Sequence, residues 1–337
     1  MKIGDKIASL RDESAAIYVV IPVYNSKAYL HHCINSLCNN DFQDYHLICV
    51  DDGSTDGSGE LLDELAAQNS KITVIHQENA GVSAARNIAL KLLYNSPKCQ
   101  NSFITFVDSD DYVHPQYLSV LIDLIQKNKL DCCECSYECT TPTSPRTFTN
   151  THYSAAEISA SFSVLKEYNA SSFNRIWGYA FLIADLKDLF FKLSQKWGED
   201  CLFINEYMSR RNRKIGVCTL PLYKYVRNQT SATYTVSFED FWIFIEELDS
   251  LIEKAPSQNK PTILKKALRE ACHIRYGFRF DKVKHMASQE KLKNLYHKHK
   301  VLMSCLPLKE RFATAAFVHS SRLYCCYRWY LKKIRRY

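Results

Sequence analysis

Residues 103–113 read FITFVDSDDYV, an apolar run rich in β-forming residues that ends in three carboxylates within four positions. Asp108, Asp110 and Asp111 would repel one another in a folded protein, and burial would increase that cost. The run continues a pattern of short apolar segments that alternate with amphipathic helical segments over about the first 140 residues. Apolar strands separated by helices predict a parallel sheet covered on both faces, so the predicted fold class is α/β.

The acidic residues follow strands of this predicted sheet. The strands are predicted at IYVVIPV (17–23), HLICV (46–50), ITVIH (72–76), SFITFV (102–107) and LDCCECSY (130–137). In open α/β sheets, ligands bind outside the carboxyl ends of the strands, where CVDDGSTDGS (49–58) and FVDSDD (106–111) begin. Carboxylates that converge on one crevice favour a divalent cation, which offsets their repulsion.

A third strand end has the residues of an anion site. NAGVSAARN (79–87) brings Gly81, Ser83 and Arg86 to a predicted helix start. Backbone N–H groups at a helix N-terminus and a guanidinium suit an anionic group. Acids for a metal and a basic helix start for phosphate together indicate a metal-bound diphosphate, as in a nucleotide. The G-x-G-x-x-G spacing and the Walker Lys are missing, which argues against dinucleotide-binding and P-loop proteins.

The composition restricts the class of protein further. The 337 residues are 46% hydrophobic and 23% charged with a net charge of +7, enough for a full core in one large or two modest domains. The 14 Cys are scattered at apolar positions, and those at 132–139 lack paired C-x-x-C spacing, so we expect core packing in a reducing cytosol. We find no signal peptide and no apolar run of about 18 residues, so no membrane-spanning helix is expected.

Four segments together resemble the family-2 glycosyltransferases of the GT-A fold. In the family's order and spacing they are VVIPVYNSKAYLHHCINSL, LICVDDGSTDGS, NAGVSAARNIAL and ITFVDSDDYV. The similarity is close over residues 17–125 and continues more loosely to about 235. It implies a Rossmann-like, mostly parallel sheet flanked by helices. The catalytic domain is expected at 1–235, with a nucleotide-sugar half at 17–138 and an acceptor half at 139–235.

The resemblance implies a donor site at the strand ends. Pro22 and Tyr24 match nucleobase-side residues, and either Asp51 or Asp52 would accept a hydrogen bond from the base, most often uracil. The segment that lies along the ribose and diphosphate is matched by Asn79, Gly81 and Arg86.

The same resemblance makes Asp108-Ser109-Asp110 the D-x-D motif. Its first Asp usually faces the ribose and its last binds Mn²⁺ or Mg²⁺, so Asp108 and Asp110 are the expected metal-site residues. A basic residue often approaches the diphosphate near the end of the catalytic domain, and Arg227 is the candidate there.

The resemblance also supplies candidates for the acceptor side. KWGEDCLFINEYM (196–208) matches the family's E-D-x-x-F motif, which makes Asp200 the expected general base, with Glu199 supporting it or the acceptor. NRIWGYAF (174–181) resembles the segment that helps to form the acceptor pocket, where Trp177 would contact a sugar or else belong to the core.

After residue 236 the alternation stops, and the region 236–337 is predicted to be a helical extension. Its last stretch, SSRLYCCYRWYLKKIRRY (320–337), has six Lys or Arg residues, no acids and interleaved aromatic residues. A basic, aromatic helix of this type can bind an anionic membrane surface; a solvated or dimer-packing tail is the alternative. No nucleic-acid-binding module accompanies it, and no nucleic-acid partner is expected.

The predicted function is that of an inverting, metal-dependent glycosyltransferase. It would move a sugar from a nucleotide-sugar to a glycan acceptor. We expect the donor to be UDP-linked and the acceptor to be lipid-linked. The family's habits suggest synthesis of a surface polysaccharide or lipopolysaccharide-type glycan of the cell envelope, in the cytoplasm at the inner face of the membrane. A non-catalytic relative that binds a nucleotide-sugar or glycan is the alternative. A nucleotidyltransferase would need a Gly-rich, basic N-terminal signature, which IPVYNS lacks.

Overall fold

A computed structural model gives the fold. It describes residues 16–144, 146–165, 174–227, 237–277 and 281–306, together with Arg311. The chain forms two compact units. The first comprises the described residues of Met1–Glu167, Arg175–Ser194 and Arg213–Tyr234, and the second those of Tyr168–Asn174, Gln195–Asn212 and Thr235–Tyr337.

The first unit begins with the alternation that the sequence predicts. Its elements are β1 (Ile17–Val23), α1 (Lys27–Cys38), β2 (Tyr45–Asp51), α2 (Ser58–Gln68), β3 (Ile72–His76), α3 (Val82–Tyr94) and β4 (Phe103–Phe106). Strand β1 pairs in parallel with β2 and β4, and β2 pairs in parallel with β3. Every residue of β1 and β2 is buried, as expected for a sheet covered on both faces. The α/β prediction is confirmed.

The rest of the first unit extends the same sheet. It contributes β5 (Tyr112–Val113), α4 (Tyr117–Asn128), β6 (Cys132–Thr140), α5 (Ala155–Ala160), β7 (Phe162–Val164), β8 (Tyr179–Leu182) and β9 (Ile215–Val226). Within the described residues the strand order is β3-β2-β1-β4-β8-β6-β9-β5, with β7 beside β9. Strand β8 is antiparallel to β4 and to β6, so β6 and its parallel neighbour β9 keep the direction of the first four strands. The sheet is therefore mostly parallel.

Three of the four cysteines of β6 belong to the core of this unit. Cys132, Cys133 and Cys135 are buried free thiols, whereas Cys139 is exposed. Because burial is unfavourable for a thiolate, it raises the pKa of Cys132 and Cys135 above the usual range. The core-packing prediction for these residues is confirmed for the three buried ones.

The second unit is helical in the part that the structure describes. It contains α6 (Glu199–Ser209), α7 (Phe238–Lys254), α8 (Lys260–Gly277), α9 (Lys282–Lys298) and α10 (Lys300–Met303). The Ser237 side chain caps α7 by accepting a hydrogen bond from Asp240 N at 3.1 Å. Buried side chains of α7 such as Leu248 pack in one core with Leu264 of α8 and Leu292 of α9.

No helix among the described residues is both long enough and apolar enough to cross a bilayer. The basic segment 320–337, to which the sequence analysis gave a membrane-surface role, lies outside the described residues.

Candidate functional site

The loops after β1 and β2 are joined to each other by hydrogen bonds. Asn25, which adopts a left-handed conformation with a φ of 48°, donates its N–H to Ser54 Oγ at 3.0 Å. Its side-chain oxygen accepts a hydrogen bond from Thr55 N at 2.8 Å. Ser26 N donates to the buried Ser58 Oγ at 2.9 Å. These bonds hold the ends of two neighbouring strands in one rigid arrangement.

Tyr24, which precedes this turn, is 52% exposed although it is a large aromatic residue. Pro22 lies inside β1 and is buried. An exposed aromatic face beside a ligand crevice is suited to stacking on a base. The two predicted nucleobase-side residues therefore differ in exposure. The Tyr24 ring is accessible to a ligand, whereas the Pro22 side chain is buried in the sheet.

Asp52 is buried and anchors the loop that leads into α3. Its two carboxylate oxygens accept hydrogen bonds from Ala80 N and from Gly81 N, each at 2.8 Å. Gly53, with a φ of 72°, permits the close approach of the two loops, because a Cβ there would lie 2.8 Å from Asn79 N. Asp52 therefore holds the backbone at Ala80 and Gly81, next to Asn79, in the segment that is predicted to contact the nucleotide-sugar.

Asp51 is also buried but anchors different groups. It accepts hydrogen bonds from Ser54 N at 3.1 Å and from His76 Nδ1 at 3.0 Å. His76 Nε2 lies 3.1 Å from Asp63 Oδ1. Burial lowers the pKa of His76, but its hydrogen bonds to both carboxylates and their charges raise it above the usual value overall. No local sequence pattern marks His76, because its two partners lie on other elements, β2 and α2.

Helix α3 begins at an open position. Gly81 precedes it with a φ of 89°, and no described atom lies within 4 Å of the place where a Cβ would stand. In the first turn, Ser83 is buried, and its Oγ has no hydrogen-bond partner among the described residues. Backbone N–H groups at a helix start and a nearby hydroxyl group are donors suited to a phosphate.

Arg86, in the second turn of the same helix, is buried. Its Nη2 donates to Asp108 Oδ1 at 2.9 Å, and its guanidinium lies 5.1 Å from the ring centre of Phe191. Asn87 fixes Phe191 by hydrogen bonds to its backbone N and O, both at 2.8 Å. The Arg86 guanidinium is therefore paired with Asp108, the first residue of the D-x-D motif.

The three crowded aspartates have three different environments. The Asp108 side chain is 27% exposed and pairs with Arg86. Asp110 is half-buried, and its burial, followed by the charge of Asp108, raises its pKa to about 6. Asp111 is 1% exposed and accepts hydrogen bonds from Tyr223 Oη at 2.8 Å and Val226 N at 2.7 Å. Of the three, Asp111 is thus the one with both carboxylate oxygens bonded to β9.

Asp108 and Asp110 are the candidate pair of carboxylates for a divalent cation. Among the described residues no group of three or more His, Cys, Asp and Glu side chains could hold a metal. Mg²⁺ is usually bound by one or two carboxylates together with substrate phosphates, so two are sufficient. Burial and the charge of Asp108 make the negative charge of Asp110 unfavourable in the free protein and raise its pKa. Between the two, Ser109 Oγ donates to Ser26 Oγ at 2.8 Å, which joins this loop to the loop after β1.

Trp177 lies in the core of the first unit. It is 8% exposed and its ring stacks on Tyr223 and Tyr225, with ring centres 4.5 and 5.4 Å away. The Arg175 guanidinium lies 4.8 Å from the Trp177 ring centre. These contacts favour the core alternative for Trp177 over the acceptor contact that we expected, because little of the ring is left for a sugar. Arg227 is exposed at the end of β9, and its backbone N donates to Thr140 O at 2.9 Å.

Glu199 and Asp200 belong to the second unit. They form the first turn of α6, which begins after Gly198 in a left-handed conformation with a φ of 77°. Acids in a first turn interact favourably with the positive end of the helix dipole. Both side chains are half-buried, and the next residues, Cys201 and Leu202, pack into the core of this unit.

A comparison with protein families decides the class. Residues 18–188, just over half of the chain, match the sequence profile of Glycosyl transferase family 2. The chain belongs to glycosyltransferase family 2. The matched range contains all the strand-end loops described above, from Tyr24 to Asp111.

This family-2 glycosyltransferase has relatives of similar sequence. Glycosyltransferase GlyA of Streptococcus pneumoniae is 37% identical over 121 residues, which are 36% of this chain and 16% of GlyA. The chain spans less than half the length of the curated relatives that it matches.

Solved structures share the fold over most of the chain. Residues 1–349 of TarS from S. aureus, in complex with UDP, superpose with a TM-score of 0.68 at 21% identity, covering 89% of this chain and 86% of that one. The mannosyltransferase PcManGT from Pyrobaculum calidifontis, in complex with GDP-Man and Mn²⁺, superposes with a TM-score of 0.54 at 15% identity, covering 91% and 86%. At these identities the likeness shows the GT-A fold.

Proposed function

We propose that this chain is an inverting glycosyltransferase that moves a sugar from a UDP-linked donor to a hydroxyl group of a glycan acceptor. The observation that carries the proposal is the set of hydrogen bonds that ties four strand-end loops of the first unit together around Asp108 and Asp110. Such bonds order carboxylates and helix N–H groups at one edge of the sheet, where α/β proteins bind their ligands. TarS has been crystallised with UDP and with UDP-GlcNAc, which supports a uridine donor here.

In this proposal each strand end contacts one part of the donor. The exposed Tyr24 ring and the backbone at Pro22 receive the nucleobase, and Asp51 or Asp52 accepts its hydrogen bond. The start of α3 receives the ribose and diphosphate through the groups of Asn79, Gly81 and Ser83. Arg86 holds Asp108 and neutralises part of the charge nearby, and Arg227 is the second candidate cation for the diphosphate.

Asp108 and Asp110 would hold Mn²⁺ or Mg²⁺. When bound, the ion offsets the negative charge that develops on the diphosphate leaving group. PcManGT, which shares the fold, has been solved with both GDP-Man and Mn²⁺, and this supports a divalent ion together with the donor here. One oxygen of Asp108 would stay paired with Arg86, and the other would face the nucleotide-sugar and its ion. Asp110 would bind the ion through a carboxylate whose charge is unfavourable in the free protein, because it is buried and close to Asp108.

On the acceptor side, Asp200 would act as the general base. A sugar hydroxyl has a high pKa, so it needs a carboxylate within hydrogen-bond reach to remove its proton as the new bond forms. Glu199 would orient the acceptor or Asp200. A single displacement of this kind inverts the anomeric carbon. We further propose a lipid-linked glycan of cell-envelope polysaccharide synthesis as the acceptor, used at the inner face of the cytoplasmic membrane.

Titration calorimetry with UDP tests the donor site. Wild type should bind UDP more tightly with Mn²⁺ than without it, and Asp110→Asn should lose the Mn²⁺-dependent gain. Asp123→Asn, which changes an exposed Asp that pairs with Lys127, is the matched control and should bind as wild type does. GDP is the competing ligand, and tighter binding of GDP than of UDP would reassign the base. Absence of binding to either nucleotide would contradict the proposal.

Transfer assays test catalysis. Asp200→Asn should keep the affinity for UDP and lose roughly 100- to 10,000-fold of the transfer rate, the usual contribution of a general base. If this variant transfers sugar at the wild-type rate, Asp200 is not the base. If wild type binds UDP but neither hydrolyses nor transfers any UDP- or GDP-sugar, the non-catalytic alternative is correct.

A further inference from the structure

Asp111, the third of the crowded aspartates, is turned into the protein. It is 1% exposed, its Oδ1 accepts a hydrogen bond from Val226 N at 2.7 Å, and its Oδ2 accepts one from Tyr223 Oη at 2.8 Å. Both donors lie on β9, more than 110 residues further along the chain. Burial and the charges of Asp110 and Asp108 raise the pKa of Asp111 well above its usual value, but both of its oxygens already have hydrogen-bond partners on β9.

Tyr223 connects Asp111 back to the D-x-D loop. Its hydroxyl group accepts a hydrogen bond from Asp108 N at 3.1 Å while it donates to Asp111. A phenol has one donor and can accept as well, so both functions of this hydroxyl group are used. Asp111 N also donates to Asp108 O at 3.0 Å, which closes a four-residue turn. Asp108 and Asp111 form the base of this turn, and Ser109 and Asp110 form its tip.

The ring of Tyr223 is itself fixed. It is fully buried, and its plane lies 15° from that of Trp177 at a ring-centre distance of 4.5 Å. Strand β9 pairs with β5 at Val113 and with β6 at Tyr137, so Tyr223 lies inside the sheet, between two neighbouring strands. The hydroxyl group therefore has little freedom to move, and the position of the turn is set by the sheet.

We propose that Tyr223 and Asp111 are positioning residues that lock the Asp108–Asp111 turn, so that Asp108 and Asp110 are presented to a metal-bound diphosphate and Asp111 is no metal ligand. Trp177 supports this lock through its stack on Tyr223. The inference rests on the proposed function for the role of the turn, but the lock itself is a property of the free protein.

A pair of Tyr→Phe variants tests the lock on the donor. Tyr223→Phe keeps the ring stack and removes the hydroxyl group that holds Asp108 and Asp111. Tyr117→Phe is the matched control, because its hydroxyl group is equally buried and bonds Thr105 at 2.7 Å instead. By calorimetry, Tyr223→Phe should weaken UDP binding in Mn²⁺ by roughly tenfold, and Tyr117→Phe should stay within roughly twofold of wild type. Equal affinities of the two variants would overturn the proposal.

Hydrogen exchange of the free protein tests the lock without any ligand. The Asp108 amide should be protected in wild type and in Tyr117→Phe, and should exchange roughly tenfold faster in Tyr223→Phe. Unchanged exchange at Asp108 would overturn the lock. Because no nucleotide is needed, this result stands even if wild type binds neither UDP nor GDP, which would contradict the proposed function alone.

A pair of Asp→Asn variants tests the distinction between anchor and ligand. Asp110→Asn should abolish the Mn²⁺-dependent gain in UDP affinity. Asp111→Asn keeps an oxygen for Val226 N, so it should retain most of that gain, with a lower melting temperature. If Asp111→Asn is folded and loses the Mn²⁺ dependence as completely as Asp110→Asn does, Asp111 is a metal ligand and the proposal is wrong.

Discussion

His76 at the end of β3 lies between two carboxylates. Its Nδ1 is 3.0 Å from Asp51 Oδ2 and its Nε2 is 3.1 Å from Asp63 Oδ1. Both ring nitrogens can donate only when the imidazole is protonated and positively charged. The raised pKa of His76 agrees with this arrangement, since the hydrogen bonds and charges of the two acids outweigh the effect of burial. When His76 is protonated, it donates to both acids and orients Asp51, one of the two candidates for the nucleobase contact.

This arrangement predicts a pH-dependent stability difference. Because the pKa of His76 is higher in the folded than in the unfolded chain, its contribution is fully present below about pH 6.5 and is lost as the pH rises through the folded-state value. The free energy of unfolding of His76→Gln should thus be lower than that of wild type at low pH, and the difference should become small at alkaline pH. Urea unfolding at about pH 6 and about pH 9 measures this. His152→Gln, at an exposed position, is the control, and a pH-independent gap would contradict the prediction.

At the same scale, the sequence predicted the positions of the motif aspartates but not the remote groups that each one contacts. Asp51, Asp52, Asp108 and Asp110 stand in short local patterns that can be read from the chain. Their partners are remote, as with His76, 25 residues from Asp51, and Tyr223, 115 residues from Asp108. No local sequence pattern predicts contacts between residues so far apart in the chain. Trp177 shows the same limit, since only the three-dimensional stack with Tyr223 and Tyr225 distinguishes a core residue from a sugar platform.

Among the elements, helices and strands up to β4 follow directly from the periodicity of the apolar residues. The strand β8 does not, although it lies between β4 and β6. It has only four residues, YAFL, and the sequence before it shows no alternation of apolar strands and amphipathic helices. So short a pattern predicts neither the strand nor its antiparallel pairing. Its place in the sheet is decided by contacts with strands that lie 40 to 80 residues earlier, such as Ala180 opposite Thr105 and Cys133.

The start of α6 depends on a glycine. Gly198 has a φ of 77°, and a Cβ there would lie 2.8 Å from the ring of Phe244 in α7. Gly198→Ala should therefore lower the free energy of unfolding by about 1–3 kcal/mol, from backbone strain and the steric clash together. If Asp200 is the base, this variant should also reduce transfer, because the first turn of α6 carries both acids.

A double-mutant cycle separates the two causes of that loss. In a Phe244→Leu background the ring is gone, so Gly198→Ala should cost less than it does in wild type, with only the strain left. Urea unfolding of the four proteins gives the coupling energy. A cost of Gly198→Ala that is the same in both backgrounds would show that the clash with Phe244 makes no contribution.

At the scale of the whole molecule, the distribution of basic residues bears on where in the cell the protein works. The net charge is +7, and six of the basic residues lie in 320–337, among Tyr, Trp, Leu and Ile and without any acid. Each Lys or Arg near an anionic bilayer contributes about 1 kcal/mol, and the effect falls off within a Debye length. The sequence of this segment therefore predicts salt-sensitive binding to anionic membranes, which would bring the enzyme to a lipid-linked acceptor.

Deletion of residues 320–337 tests this prediction. The full chain should sediment with vesicles that contain phosphatidylglycerol and be released in about 0.5 M salt, because screening weakens such attraction. The truncated chain should stay in solution, and so should the full chain mixed with neutral phosphatidylcholine vesicles. UDP binding is the internal control, since every proposed donor contact lies before residue 228, and it should be the same in both chains. Equal binding of both chains to anionic vesicles would exclude the segment as the membrane-binding element and leave the solvated or dimer-packing alternative.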